Sequence, residues 1–80
     1  MHYEDLTLKE INKKEGSWYG IFSSENGGTF MYPLASSDLT EEDLIQNDIF
    51  VGKKYLGLIT NEFLAALDGF SYINSNSKTK

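Results

Sequence analysis

The chain has no cysteine, no arginine, one histidine and one proline, and each scarcity removes a class of chemistry. Without cysteine there is no disulfide framework, no thiol nucleophile and no thiolate zinc site, so the fold has to hold by packing alone. Without arginine all seven cations are lysine, set against twelve Asp and Glu for a net charge of −5 and a pI near 4.6. A phosphate backbone calls for a basic face, so nucleic acid is disfavoured as a partner. His2 is the only imidazole and stands at a terminus expected to fray, which leaves any Ser or Thr nucleophile without a positioned base.

Long apolar runs are missing too. The longest, Phe63 to Leu67, falls far short of a bilayer core of about 30 Å. The opening Met1-His2-Tyr3-Glu4-Asp5 is acidic where a secretory leader is basic. A soluble, cytoplasmic protein with no membrane partner is the expectation. Lysine without arginine, beside abundant Asn, Ile, Phe and Tyr, points to an AT-rich coding genome of the bacterial or phage kind.

What is present fits one small domain: 80 residues, 40 % hydrophobic and 14 % aromatic, too few to divide into two cores. Residues 1–73 are expected to form it. The stretch 74–80, Asn-Ser-Asn-Ser-Lys-Thr-Lys, has nothing apolar to bury and reads as a disordered polar tail.

The clearest local pattern is Ser17 to Ser23, then Ser24-Glu25-Asn26-Gly27-Gly28, then Thr29 to Leu34. Aromatic and β-branched runs on either side of Asn-Gly predict a hairpin with a type I′ turn, and Pro33 puts its second strand at an edge. A two- or four-residue loop sets Ser24 opposite Thr29 and Phe22 opposite Met31. One face then carries Trp18, Phe22 and Met31, and the other Tyr19, Ile21, Phe30, Tyr32 and Leu34; a one-residue bulge exchanges them. Upstream, Leu6 to Asn12 fits either a helix opened by Thr7 and Glu10 or a strand alternating at Leu6 and Leu8, and the strand is favoured. Joined to the hairpin by a turn at 13–16, it gives a core face of Leu6, Leu8, Tyr19, Ile21, Phe30, Tyr32 and Leu34.

Downstream, Thr40-Glu41-Glu42-Asp43 reads as a capping box, with Leu39 and Leu44 as its hydrophobic staple, opening a helix over about 41–47. Thr60, with Ile59 and Leu64, repeats the arrangement and predicts a second helix over about 61–68, closed by Gly69. Ile49 to Val51 and Tyr55 to Ile59 read as buried strands turning at 52–54. The expected class is α+β: a small antiparallel sheet, a β-meander with an Asn-Gly hairpin, and two short helices packed on one face.

Searches for catalytic and cofactor motifs return little, and no metal or cofactor is implied. Asp38, Glu41, Glu42, Asp43 and Asp48 lack the spacing and central Gly of a calcium loop, and Gly52-Lys53 is followed by Lys54 where a phosphate loop needs Ser or Thr. Paired carboxylates for glycoside chemistry can be nominated, but no apolar pocket is evident to tune them. A non-enzymatic protein-binding module, an inhibitor or adaptor, is the leading expectation, with Trp18, Phe22 and Met31 as an exposed aromatic contact and Glu41, Glu42 and Asp43 as its electrostatic part. Against it stands plain burial of Trp18 beneath Phe70, Tyr72 and Ile73. A second expectation is an acidic nucleic-acid mimic that inhibits a protein with a basic surface, although helix capping accounts for the same charges. A third is a single-strand binder that stacks bases on the sheet aromatics, with lysines gathered round Trp18.

Overall fold

The computed structural model describes residues 1–74. Five antiparallel strands run β1 (His2–Lys14), β2 (Ser17–Ser24), β3 (Thr29–Ser36), β4 (Lys54–Thr60) and β5 (Phe63–Leu67), with one helix, α1 (Glu41–Gln46), between β3 and β4. The sheet order is β3-β2-β1-β4-β5, and the sheet curls until its two edges nearly meet as a barrel. At that seam the Tyr32 hydroxyl lies 3.5 Å from the Ala65 carbonyl. The α+β expectation is therefore corrected to a mostly β, barrel-like architecture.

The second helix is the element that fails. Asn61 and Glu62 both take positive φ, 51° and 69°, between the paired residues Thr60 and Phe63. Two successive residues in the left-handed region make the tight turn of a hairpin, so Phe63 to Leu67 continue as β5. Ile59 and Leu64, read as a staple, are cross-strand partners with both side chains buried. Propensity for so short a helix is weak, and pairing along β4 outweighs it. The Ile49 to Val51 stretch is likewise no strand: Ile49 is buried and the next two residues are exposed in the loop after α1.

The first helix is as expected. Thr40 is the N-cap, its hydroxyl accepts from the Asp43 N–H, and the Asp43 carboxylate accepts from the Thr40 N–H at 2.9 Å. Leu39 and Leu44 are both buried in the core with Trp18, whose indole N–H donates to the Leu39 carbonyl at 2.9 Å.

β1 is a strand, but the hairpin register differs from expectation by one residue. The Ser24 N–H bonds the Gly28 carbonyl, so the loop is the three residues Glu25 to Gly27, and only Gly27 (φ 95°) has positive φ. That is the three-residue hairpin with a glycine bulge, and an odd loop shifts the pairing by one. Phe22 now faces Phe30, and Ile21 faces Met31. Trp18, Gly20, Phe22 and Ser24 point inward; Tyr19 and Ile21 do not. On β1 an irregularity at Lys9 keeps Leu8 opposite Phe22 and Ile11 opposite Gly20, so both face the interior. The core is built of Leu6, Leu8, Trp18, Phe22, Leu34, Ala35, Leu39, Leu44, Ile49, Ile59, Leu64 and Leu67. Pro33 does lie on an edge strand, β3, part of whose free side pairs with Ile73. The expected tail at 74–80 falls, beyond Asn74, outside the described residues.

Candidate functional site

The expected aromatic contact does not assemble. Trp18 is 8 % exposed and Phe22 fully enclosed, while Met31 is 50 % exposed on the outer side of β3. The odd loop just described pairs Met31 with Ile21, so Met31 lies on the opposite face of the sheet from the two aromatics. Trp18 is held by its bond to Leu39 and by the Lys13 ammonium 4.9 Å above its ring, and Phe22 by an edge-on contact with Tyr55 at 5.4 Å. These are core roles. Trp18, Phe22 and Met31 therefore do not form one exposed patch.

The acidic half of the expected site stays on the surface. Glu41 and Glu42 are exposed in the first turn of α1, whereas Asp43 is half-buried and occupied in the cap. Ile45 stands one turn after Glu41, and residues so spaced share a helix face. There it meets the loop that follows the helix. Ile11, Leu44, Ile45, Ile49, Phe50 and Val51, with Glu41 at the border, line a shallow hollow of about 220 Å³. Ile45 is 59 % exposed, Phe50 41 % and Val51 57 %. Three large apolar side chains exposed together beside a carboxylate form the kind of patch that marks an interaction surface.

Neighbouring charges are already engaged. Lys53 Nζ lies 3.1 Å from Asp48 and within 6 Å of both the Phe50 and Tyr55 ring centres. Burial, with the Asp48 charge adding to it, pushes the Tyr55 hydroxyl up to about 12. The Ser36 hydroxyl donates to Asp38. No ion pair among the described residues involves Glu41 or Glu42.

Sequence reasoning missed Ile45, Phe50 and Val51. From sequence Ile45 reads only as a helix residue and the other two as a buried strand. The available signal was that Leu44 alone completes the staple, leaving Ile45 on a different helix face.

His2, Glu4 and Ser24 come together where β1 begins and β2 ends. His2 Nε2 lies 2.6 Å from the Glu4 carboxylate, and hydrogen bonds from His2 and then Ser24 hold that carboxyl below its ordinary value. The carboxylate stands between the hydroxyl and the imidazole, so the ring is not placed to take the Ser24 proton as a catalytic triad requires. Ser24 Oγ also accepts from the Asn26 N–H at 3.0 Å, which ties it to the turn. Among the described residues no three His, Asp or Glu side chains converge as a metal-ligand set, and no helix is long and apolar enough to cross a membrane.

Another apolar group, Tyr3, Leu56 and Phe63, is spread along the outer face of β1, β4 and β5, with Asp5 and Asp68 on either side of Leu56. The hollow beside Leu56, about 510 Å³, has Asp5, Thr7, Glu25 and Lys54 in its lining, whereas every residue lining the α1 hollow except Glu41 is apolar. Compared with known proteins, the chain matches no family model, no curated protein and no solved structure, so the site stands on its own geometry.

Proposed function

We propose that this protein is a non-enzymatic protein-binding module, an inhibitor or adaptor that occludes a partner's surface, and that it does so through α1 and the loop after it. The observation that carries the reading is the exposure of Ile45, Phe50 and Val51 around one hollow on an 80-residue chain. Interface cores are rich in such side chains and their rims in charge, the order in which Phe50 and Glu41 occur here. Of the expected acidic residues Glu41, Glu42 and Asp43, the first two keep an electrostatic role and Asp43 serves the helix cap; Trp18 and Phe22 serve by shaping the core. Action in the cytoplasm is part of the proposal.

A nucleic-acid mimic is the weaker reading. Of the five carboxylates between 38 and 48, Asp38 accepts from Ser36, Asp43 caps the helix and Asp48 pairs with Lys53, which leaves two for phosphate positions. Direct single-strand binding loses its stacking platform with the burial of Trp18 and Phe22.

The test is site-specific photocrosslinking. A benzophenone side chain is placed at position 50, and separately at 31 and at 3, in lysate of the source cells with and without nuclease. A nuclease-resistant protein adduct from position 50, lost on adding Ile45→Glu, is the expected result. Adducts from position 31 or 3 with none from 50 overturn the assignment.

A further inference from the structure

Resting on that reading, we infer that the segment this surface takes is cationic and is built round one apolar anchor: a stretch of partner protein that seats a single large side chain in the hollow and lays lysine or arginine against Glu41 and Glu42.

Size argues for a side chain. Small-molecule pockets run to roughly 300–1,000 Å³ and enclose most of their ligand; a shallow hollow of about 220 Å³ falls below that range. Its wall is apolar apart from Glu41, so the part that enters carries no charge. One anchor in one well-packed pocket, ringed by weaker contacts, is the usual economy of a hot spot.

Charge sets the remainder of the partner. From Pro33 to Gly52 the chain has no lysine. Lys53 stands 5.8 Å from the Phe50 ring centre but is paired there with Asp48, so the two add no net charge beside the hollow, and Lys13 lies over the Trp18 ring. The helix N-terminus contributes only about half a positive charge, less than the two outward glutamates, so the field over the hollow's border is negative. An anionic segment meets repulsion there, and a cationic one is steered in.

Fluorescence anisotropy of the intact protein with three labelled peptides tests this: a leucine flanked by lysines, the same peptide with serine for leucine, and the same leucine flanked by glutamates. The Lys/Leu peptide is expected to bind about tenfold or more tightly than either control, to lose about tenfold with Ile45→Ser or Val51→Ser, and to weaken with Glu41→Lys/Glu42→Lys at about 50 mM salt more than at about 300 mM. Circular dichroism melts of the variants, all at exposed positions, confirm that they fold. Equal binding of the two lysine peptides overturns the anchor, and equal binding of the glutamate peptide overturns the cationic partner. If no peptide binds while position 50 still crosslinks, the inference fails and the surface assignment survives. If both are silent, the surface itself is wrong.

Discussion

Trp18→Ala separates a core residue from a contact residue. The ring is 8 % exposed, lies against the helix cap, and donates to the Leu39 carbonyl at 2.9 Å. Truncating a buried aromatic to Ala costs about 3–5 kcal/mol through lost burial and the cavity left behind. Losing the indole donor removes a further hydrogen bond worth about 1 kcal/mol and leaves the Leu39 carbonyl to find another partner. A chain of 80 residues has roughly 4–12 kcal/mol of stability to lose, so the variant should be largely unfolded or melt at least about 15 °C lower. Trp18→Phe keeps most of the volume and isolates the hydrogen bond, with an expected loss of about 1–2 kcal/mol. Urea and thermal melts followed by far-ultraviolet circular dichroism are the assay, since the substitution deletes the only tryptophan fluorophore. A Trp18→Ala variant that melts within about 3 °C of the parent would refute the core assignment and return Trp18 to the surface.

Gly57→Ala brings a methyl carbon to 2.5 Å from Leu6 Cδ1 and 2.8 Å from Leu64 Cδ1; overpacking of this kind should cost about 1–3 kcal/mol, and an unchanged urea midpoint would contradict the close approach. Thr40→Ala removes the capping box and should cost about 1 kcal/mol, whereas Thr60→Ala caps no helix and should cost less, which paired thermal melts check. Tyr55 is raised to about 12, so its neutral form is favoured by the fold. That contribution is intact below the unfolded value of about 10 and is lost as pH climbs through 12. Ultraviolet absorbance titration should show one tyrosine ionising late, and Tyr55→Phe should abolish that step. Ile45→Glu leaves the core untouched and should keep the parent melting temperature while eliminating the position 50 crosslink.

Local chemistry was legible where a few adjacent residues decide the outcome. The Thr40 to Asp43 box, the strand at Leu6 to Asn12 and the edge placement of Pro33 need only their neighbours. The register needed more. Whether Asn26 and Gly27 both take positive φ, or Gly27 alone, decides between an even and an odd loop, and with it whether Met31 or Phe30 shares a face with Phe22. The same sequence supports both, and the choice is made by packing Phe22 against Leu8 and Tyr55. Phe63 to Leu67 reads as helix for a related reason: its apolar run suits either period, and only the β4 partner selects one. The surface site was half legible. Glu41 and Glu42 announce themselves, but the exposure of Phe50 and Val51 depends on a loop path that no local pattern encodes.

β1 is divided between two neighbours: Leu6 to Lys14 pair with β2, and His2 to Thr7 pair with β4. The β2 ladder closes through a two-residue turn, but the β4 ladder joins residues roughly fifty positions apart. Assembly should therefore be ordered. The first three strands can zip from their turns, while the start of β1 waits, unpartnered on both sides, until α1 and its loop have brought β4 back across the gap. In pulse-labelling hydrogen exchange the amides of His2 to Asp5 should gain protection together with those of β4 and after those of β2. The loop that presents Phe50 and Val51 is thus also the span whose closure completes the barrel, and the rate of that closure is open to tuning by its length.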